Sequence, residues 1–224
     1  MRQEISGIPS EIYGAPSESV FIYVHGMGGR KEEAEEFSRT AEAKGFQVLS
    51  IDLPGHGERD RKISPSPFNV LPELEEVHKF ARARWKRISL YAVSIGAWFS
   101  LVYFRKNPPS NALLVSPVVN MKTLIERMMK SAGVTPEILR DKKIIPEANL
   151  SWDYYSFACE NEINNWDCRT KILYPENDEI TPRLEIEEFS EKFKCDLRIV
   201  PNAGHWLHTE AELKFLRTWE EESI

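Results

Sequence analysis

Paired cysteines are missing from this sequence. Its 224 residues hold three, Cys159, Cys168 and Cys195, and an odd set without C-x-x-C spacing makes no disulfide scaffold. A reducing, cytoplasmic setting is the expectation. Excess positive charge is missing too. Twenty-nine Lys and Arg stand against 35 Asp and Glu, a formal charge of −6, which argues against nucleic-acid and membrane partners. The opening MRQEISGIPSEIYG has no apolar stretch of the signal-peptide kind. Internal repeats and low-complexity linkers are absent, so one domain over 1–224 is expected. With 42% hydrophobic and 29% charged residues, the chain has a folded protein's composition. The single long uncharged run, ISLYAVSIGAWFSLVYF between Arg87 and Arg105, approaches membrane-span length. Three serines, a glycine and the lack of a second span make it a buried strand running into a buried helix.

What is present is an alternation of two periodicities. Residues 3–5 and 11–13 read as a hairpin around Gly7 and Pro9. Residues 20–24, 47–53, 88–93, 112–118, 171–174 and 196–200 read as strands, several with the continuous apolar character of burial on both faces. Ala34, Phe37 and Ala41 recur at helical spacing, with Gly45 placed to end that helix. Further helices are expected over 73–84 and 95–106, and after Thr181-Pro182 as N-cap and first-turn proline. A last one starts at a Thr209–Glu212 capping box and ends near 221. Strands separated by helices imply an α/β fold with a mostly parallel sheet covered on both faces.

Residues 119–166 break the rhythm. Met121, Leu124, Ile125, Met128 and Met129 make an amphipathic stripe, Thr135-Pro136 starts a short helix, and SWDYYSF clusters aromatics. The segment is too short for a core of its own and reads as an inserted helical cap.

Chemistry concentrates where strands end. Ala92-Val93-Ser94-Ile95-Gly96-Ala97 is the small-x-Ser-x-small pattern of a nucleophile elbow, with Ala92 where glycine is commoner. His25-Gly26-Met27-Gly28-Gly29 follows the first buried strand, and Asp52-Leu53-Pro54-Gly55-His56-Gly57 the second. Asn177-Asp178 and Gly204-His205-Trp206 follow the last two.

In the kind, order and placement of these motifs the chain resembles the serine-hydrolase branch of the α/β-hydrolase family, esterase- and lipase-like, over about residues 18–118 and 168–222. The resemblance implies a catalytic triad in the order Ser94, Asp178, His205. A serine hydroxyl needs an imidazole to take its proton, and the imidazole needs a carboxylate to fix its tautomer. It also implies an oxyanion hole from the backbone N–H groups of Met27 and Ile95. The expected activity is hydrolysis of a carboxylic ester with a small or medium, apolar acyl group through an acyl-serine intermediate. A thioester or amide cleaved by the same triad is the near alternative, and a ligand-binding member without catalysis the distant one. A small-molecule ester is the expected partner, with no cofactor. Met128, Trp152, Tyr155 and Trp206 are the expected substrate-binding residues, while Trp98 either packs in the core or narrows the cleft.

Other residues receive plainer readings. Asp52 shapes its loop rather than serving as the triad acid, Glu176 and Glu179 are solvated loop charges, and His25 and His56 are hydrogen-bonded loop groups. His78 sits on a charged helix face. His205 and His208 lack a third ligand, so no metal is expected, and Gly26, Gly28 and Gly29 lack the Lys-Ser/Thr of a phosphate loop.

Overall fold

The computed structural model describes residues 1–224. The chain opens with an antiparallel pair, β1 (Arg2–Ile5) and β2 (Ile8–Tyr13), turned through Ser6 and Gly7 at positive φ. β3 (Ser19–Val24), α1 (Ala34–Ala43), β4 (Gln47–Ile51), α2 (Pro67–Arg82), β5 (Arg87–Val93), α3 (Ile95–Phe104) and β6 (Ala112–Val115) follow. An excursion then holds α4 (Met121–Ser131), α5 (Pro136–Lys142), a two-residue-strand hairpin of β7 (Ile144–Ile145) and β8 (Leu150–Ser151), and α6 (Trp152–Glu160). The chain returns through β9 (Thr170–Pro175), α7 (Arg183–Phe193), β10 (Asp196–Val200) and α8 (Glu210–Ser223).

The sheet order is β1-β2-β4-β3-β5-β6-β9-β10, parallel from β4 onward, with β2 antiparallel to both its neighbours. Side chains of a strand alternate between faces, and the core divides accordingly. Val20, Ile22 and Val24 of β3 join a cluster of 39 buried residues with α2, α3, α7 and the excursion. Phe21 and Tyr23 join a cluster of 14 with α1 and α8. The excursion leaves after β6 and returns to β9, its hydrogen-bonded neighbour, so it interrupts no pairing. Its Met121, Ile125, Met129, Leu139 and Tyr155 are continuous with the larger cluster. The uncharged run is β5 followed by α3, and no helix is long and apolar enough to cross a membrane.

Several boundaries differ from expectation, among them β2, which starts at Ile8, and β4, which ends at Ile51; three others have a local cause. α2 starts at Pro67, because Ser66 and Asn69 cap each other reciprocally; Pro72 lies inside the helix rather than before it. β6 stops at Val115, because Ser116 turns to φ 45°. Pro182 is the cap of α7 rather than its first-turn residue, since the Thr181 N–H and hydroxyl are committed to Asp178 and to the Pro117 carbonyl.

Candidate active site

β5 delivers Ser94 to the carboxyl end of the sheet, between a strand and a helix. Its backbone sits at φ 51°, ψ −122°, a conformation that costs of order 1–3 kcal/mol. Neighbouring hydrogen bonds hold it there. The Ser94 N–H donates to the Val115 carbonyl at 3.0 Å, and the Ser94 carbonyl accepts from Val118 and Ala97, both at 3.1 Å. Two glycines supply the room. A Cβ on Gly96 would stand 2.4 Å from the His25 carbonyl oxygen, and one on Gly26 would stand 3.0 Å from the Ser94 Cβ. Ala92 is fully buried in the strand, so the turn accepts a methyl there.

Ser94 Oγ lies 2.8 Å from His205 Nε2, and His205 Nδ1 lies 2.7 Å from Asp178 Oδ2. The other Asp178 oxygen accepts the N–H groups of Ile180 and Thr181 at 2.8 and 2.9 Å. That carboxylate therefore has one free direction, toward imidazole, and Nδ1–H donates while Nε2 accepts from serine. All three side chains are buried. This arrangement can raise a hydroxyl's nucleophilicity and return the proton to a leaving group.

Ile95 is the first residue of α3, where an N–H has no partner within the helix. The Met27 N–H donates to no protein acceptor. The loop that carries it is fixed by two histidines. His25 Nδ1–H donates to the Gly26 carbonyl at 2.7 Å, while Nε2 accepts from Leu53 N–H at 3.0 Å. Burial pushes this imidazole down to about 4. His56 Nε2 accepts from Gly28 N–H at 2.9 Å.

Beside Ser94 and His205 opens a cavity of about 640 Å³, walled largely by apolar side chains from the excursion and α2. Met128 and Trp206 line it, with Met121, Leu124, Ile125, Ile144, Phe68 and Tyr154. Trp152 and Tyr155 do not. Tyr155 turns away, packing on Trp152 at 5.9 Å and donating its hydroxyl to Glu126 at 2.9 Å. Tyr154 is one residue earlier, about 100° around the helix, and packs on Trp98 and Phe99. Trp98 is buried and off the cavity wall, so it fastens α6 to α3.

The family model described as serine aminopeptidase, S33, a hydrolase, matches residues 15–156. The chain belongs to that family. The matched stretch includes Ser94 and stops before Asp178 and His205. No curated protein sequence is a significant match to this S33-family chain. Among solved structures it is similar to Est1E from Butyrivibrio proteoclasticus with ferulic acid bound, at TM-score 0.74 and 19% identity over 99% of this chain and 96% of that one. It is also similar to a Paleococcus ferrophilus monoacylglycerol lipase, at TM-score 0.68 and 17% identity over 96% and 97%. A thioesterase domain from the curacin biosynthetic pathway follows at TM-score 0.63 and 15% identity over 97% of each chain. At these identities the likeness is one of fold, and the fold is the α/β-hydrolase fold.

The remaining candidates of this S33-family chain fall into place around that centre. Asp52 is fully buried and its carboxylate accepts from Lys31 N–H, Lys31 Nζ and Glu58 N–H at 2.8, 3.0 and 3.1 Å. A Cβ on Gly57 would stand 2.2 Å from that carboxylate, which is why the motif needs glycine there. Glu176 and Glu179 are more than solvated charges. Glu176 accepts from Asn202 N–H at 2.8 Å and Glu179 from His205 N–H at 3.2 Å, tying the histidine loop to the aspartate loop. His78 is buried against Tyr103 and Phe104, with burial lowering its pKa, rather than exposed on a charged face. His208 is exposed with Nδ1 at the Trp206 carbonyl, and no three His, Cys, Asp or Glu side chains cluster as metal ligands. Tyr154, expected with Trp152 and Tyr155 on the underside of the cap, lines the cavity, and so do Phe68, Ile144 and Asp153, which the sequence reading does not name. The signals available were the Ser66–Asn69 capping pair and the Ser151 cap that sets the phase of α6.

Proposed function

We propose that this protein is a serine hydrolase that cleaves a carboxylic ester with a small or medium, apolar acyl group through an acyl-Ser94 intermediate. The carrying observation is the hydrogen-bonded chain Ser94–His205–Asp178 opening on an apolar cavity of about 640 Å³. His205 takes the serine proton as Oγ attacks the ester carbon, and the Met27 and Ile95 N–H groups receive the developing oxyanion. The imidazolium then protonates the leaving alcohol, and a second cycle with water frees the acid. Met128 and Trp206 contact the acyl group, while Trp152 and Tyr155 take no part in binding it. The largely apolar wall and the size of the cavity support an apolar acyl chain of small or medium length. The half-buried, unpaired cysteines fit a reducing compartment, and we place the protein in the cytoplasm.

The test is a panel of esters, thioesters and amides of graded acyl length, run on wild type and Ser94→Ala together. Ester turnover that is lost in the variant and peaks at short or medium acyl length is the expected result. Turnover surviving the substitution removes the triad reading; a thioester or amide optimum redirects it to that bond. A kcat/KM rising through long-chain esters removes the limited pocket.

A further inference from the structure

α4 of the excursion reaches across to the loop that carries the candidate acid. Its Arg127 donates from Nη1 to Glu185 Oε1 at 2.8 Å and from Nη2 to the Ile180 carbonyl. Glu185 is held for this by a second donor on the same helix, the Thr123 hydroxyl at 2.8 Å. The Thr123 N–H in turn donates to the Asn120 side chain that caps α4, at 3.2 Å. Both members of the ion pair are partly shielded from water.

The carbonyl that Arg127 holds belongs to the peptide between Ile180 and Thr181. The N–H of that same peptide, on Thr181, donates to Asp178 Oδ1 at 2.9 Å, beside the Ile180 N–H at 2.8 Å. The other carboxylate oxygen faces His205. An unbroken run of hydrogen bonds therefore leads from α4 to the nucleophile, through the Ile180–Thr181 peptide, Asp178 and His205 to Ser94. The rest of the domain pins only the neighbouring atoms. The Tyr174 hydroxyl donates to the Thr181 carbonyl at 2.8 Å, and the Thr181 hydroxyl to the Pro117 carbonyl at 3.1 Å. Neither touches the Ile180 carbonyl, so the tilt of that peptide is left to the excursion.

We propose that Arg127 is a positioning residue for the triad, setting from α4 the peptide whose N–H orients the Asp178 carboxylate. The proposal rests on the triad reading above. Two effects act in one direction. A carbonyl hydrogen-bonded to a cation polarises its peptide, so the N–H at the other end becomes a stronger donor. A fixed peptide plane also fixes the carboxylate and hence the imidazole, where small displacements are costly in rate. Arg127 touches no reacting atom and acts through Asp178. It does not line the acyl cavity, whereas Leu124, Met128 and Ile180 around it do, which makes its role separable from that of the wall.

The experiment compares Arg127→Met, Arg127→Lys and Glu185→Gln on p-nitrophenyl esters of graded acyl length. Sites are counted with a phosphonylating reagent taken to its endpoint, so misfolded protein drops out of kcat. Arg127→Met keeps the stem and loses both donors; kcat should fall about tenfold at every acyl length, with KM within about twofold. Arg127→Lys can still donate to the Ile180 carbonyl and should recover to within about threefold of wild type. Glu185→Gln keeps the arginine but loosens its anchor, and should lower kcat by roughly two- to fivefold. Made in an Asp178→Asn background, Arg127→Met should lower kcat less than about twofold, because the residue it acts through is already disabled. An unchanged kcat in Arg127→Met, a loss confined to KM or to one acyl length, or an equal loss in the Asp178→Asn background overturns the positioning role and leaves the triad standing. If Arg127→Met gives no titratable sites, an unchanged kcat in Glu185→Gln overturns it instead. Turnover that survives Ser94→Ala removes the triad reading and this role with it.

Discussion

The loops after β4 and β9 each carry an aspartate with no solvent-exposed side-chain surface, Asp52 and Asp178. Each carboxylate also accepts two backbone N–H groups. What separates them is the remaining partner. Asp52 meets Lys31 Nζ at 3.0 Å, a cation that never gives up its proton at working pH. Burial opposes the Lys31 charge, but hydrogen bonds to Glu58, Asp52 and Glu32 outweigh it and raise its pKa. Asp178 meets the imidazole of His205, which in the proposed mechanism takes and returns a proton. Position at a strand end makes a carboxylate available; the basicity of its neighbour decides whether it braces a loop or serves a reaction.

The sharpest way to break this contrast is to neutralise each carboxylate in turn. Asp178→Asn should fold and lose on the order of 10⁴ in kcat, because the amide holds the wrong imidazole tautomer. Asp52→Asn should keep the rate per folded molecule within about threefold while losing stability. Steady-state kinetics with active-site titration, beside thermal melts, separates the two; an inactive but folded Asp52→Asn would reverse the assignment.

Next in size is removal of the cation. Lys31→Met leaves a buried carboxylate unpaired and should destabilise the fold by roughly 3–5 kcal/mol. Urea denaturation measures it, and a loss below about 1 kcal/mol would make the pair ornamental.

A third buried carboxylate sharpens the rule. Glu220 accepts from the Tyr91 hydroxyl at 2.6 Å, and burial raises its pKa from 4.5 to about 7. Between those values the folded chain holds a proton that the unfolded chain has released. Stability from this group therefore falls as pH rises through that window, by about 3 kcal/mol in all. Glu220→Gln should remove that slope and melt higher than wild type at pH 8, in melts taken from pH 4 to 8. An unchanged slope would mean that Tyr91 alone satisfies the ionised form.

Much of the centre was legible because strand ends are local events. Small residues around Ser94, and Asp178 and His205 after later strands, are spelled out within a few positions each. Cavity walls are not local. Which of Tyr154 and Tyr155 faces the cleft depends on the helical phase set at Ser151. His78 misled because Glu75, Glu76, Lys79 and Arg82 surround it in sequence. On the helix it falls on the stripe of Val70, Leu74, Val77 and Ala81. Glu179 looked solvated because its acceptor role is filled by a backbone 26 residues away in sequence.

The clearances at Gly26 and Gly96 bear on how such a chain loses its activity in evolution. The separation between the Met27 loop and the Ser94 turn is set by two absent methyl groups, one of which would stand 2.4 Å from a carbonyl oxygen. A one-base change to alanine at either codon acts as a wedge between the two amides while leaving serine, histidine and aspartate untouched. Descendants of such a change would still display three intact triad residues, so a survey of relatives that separates hydrolases from retired binding proteins has to read the glycines as well as the triad.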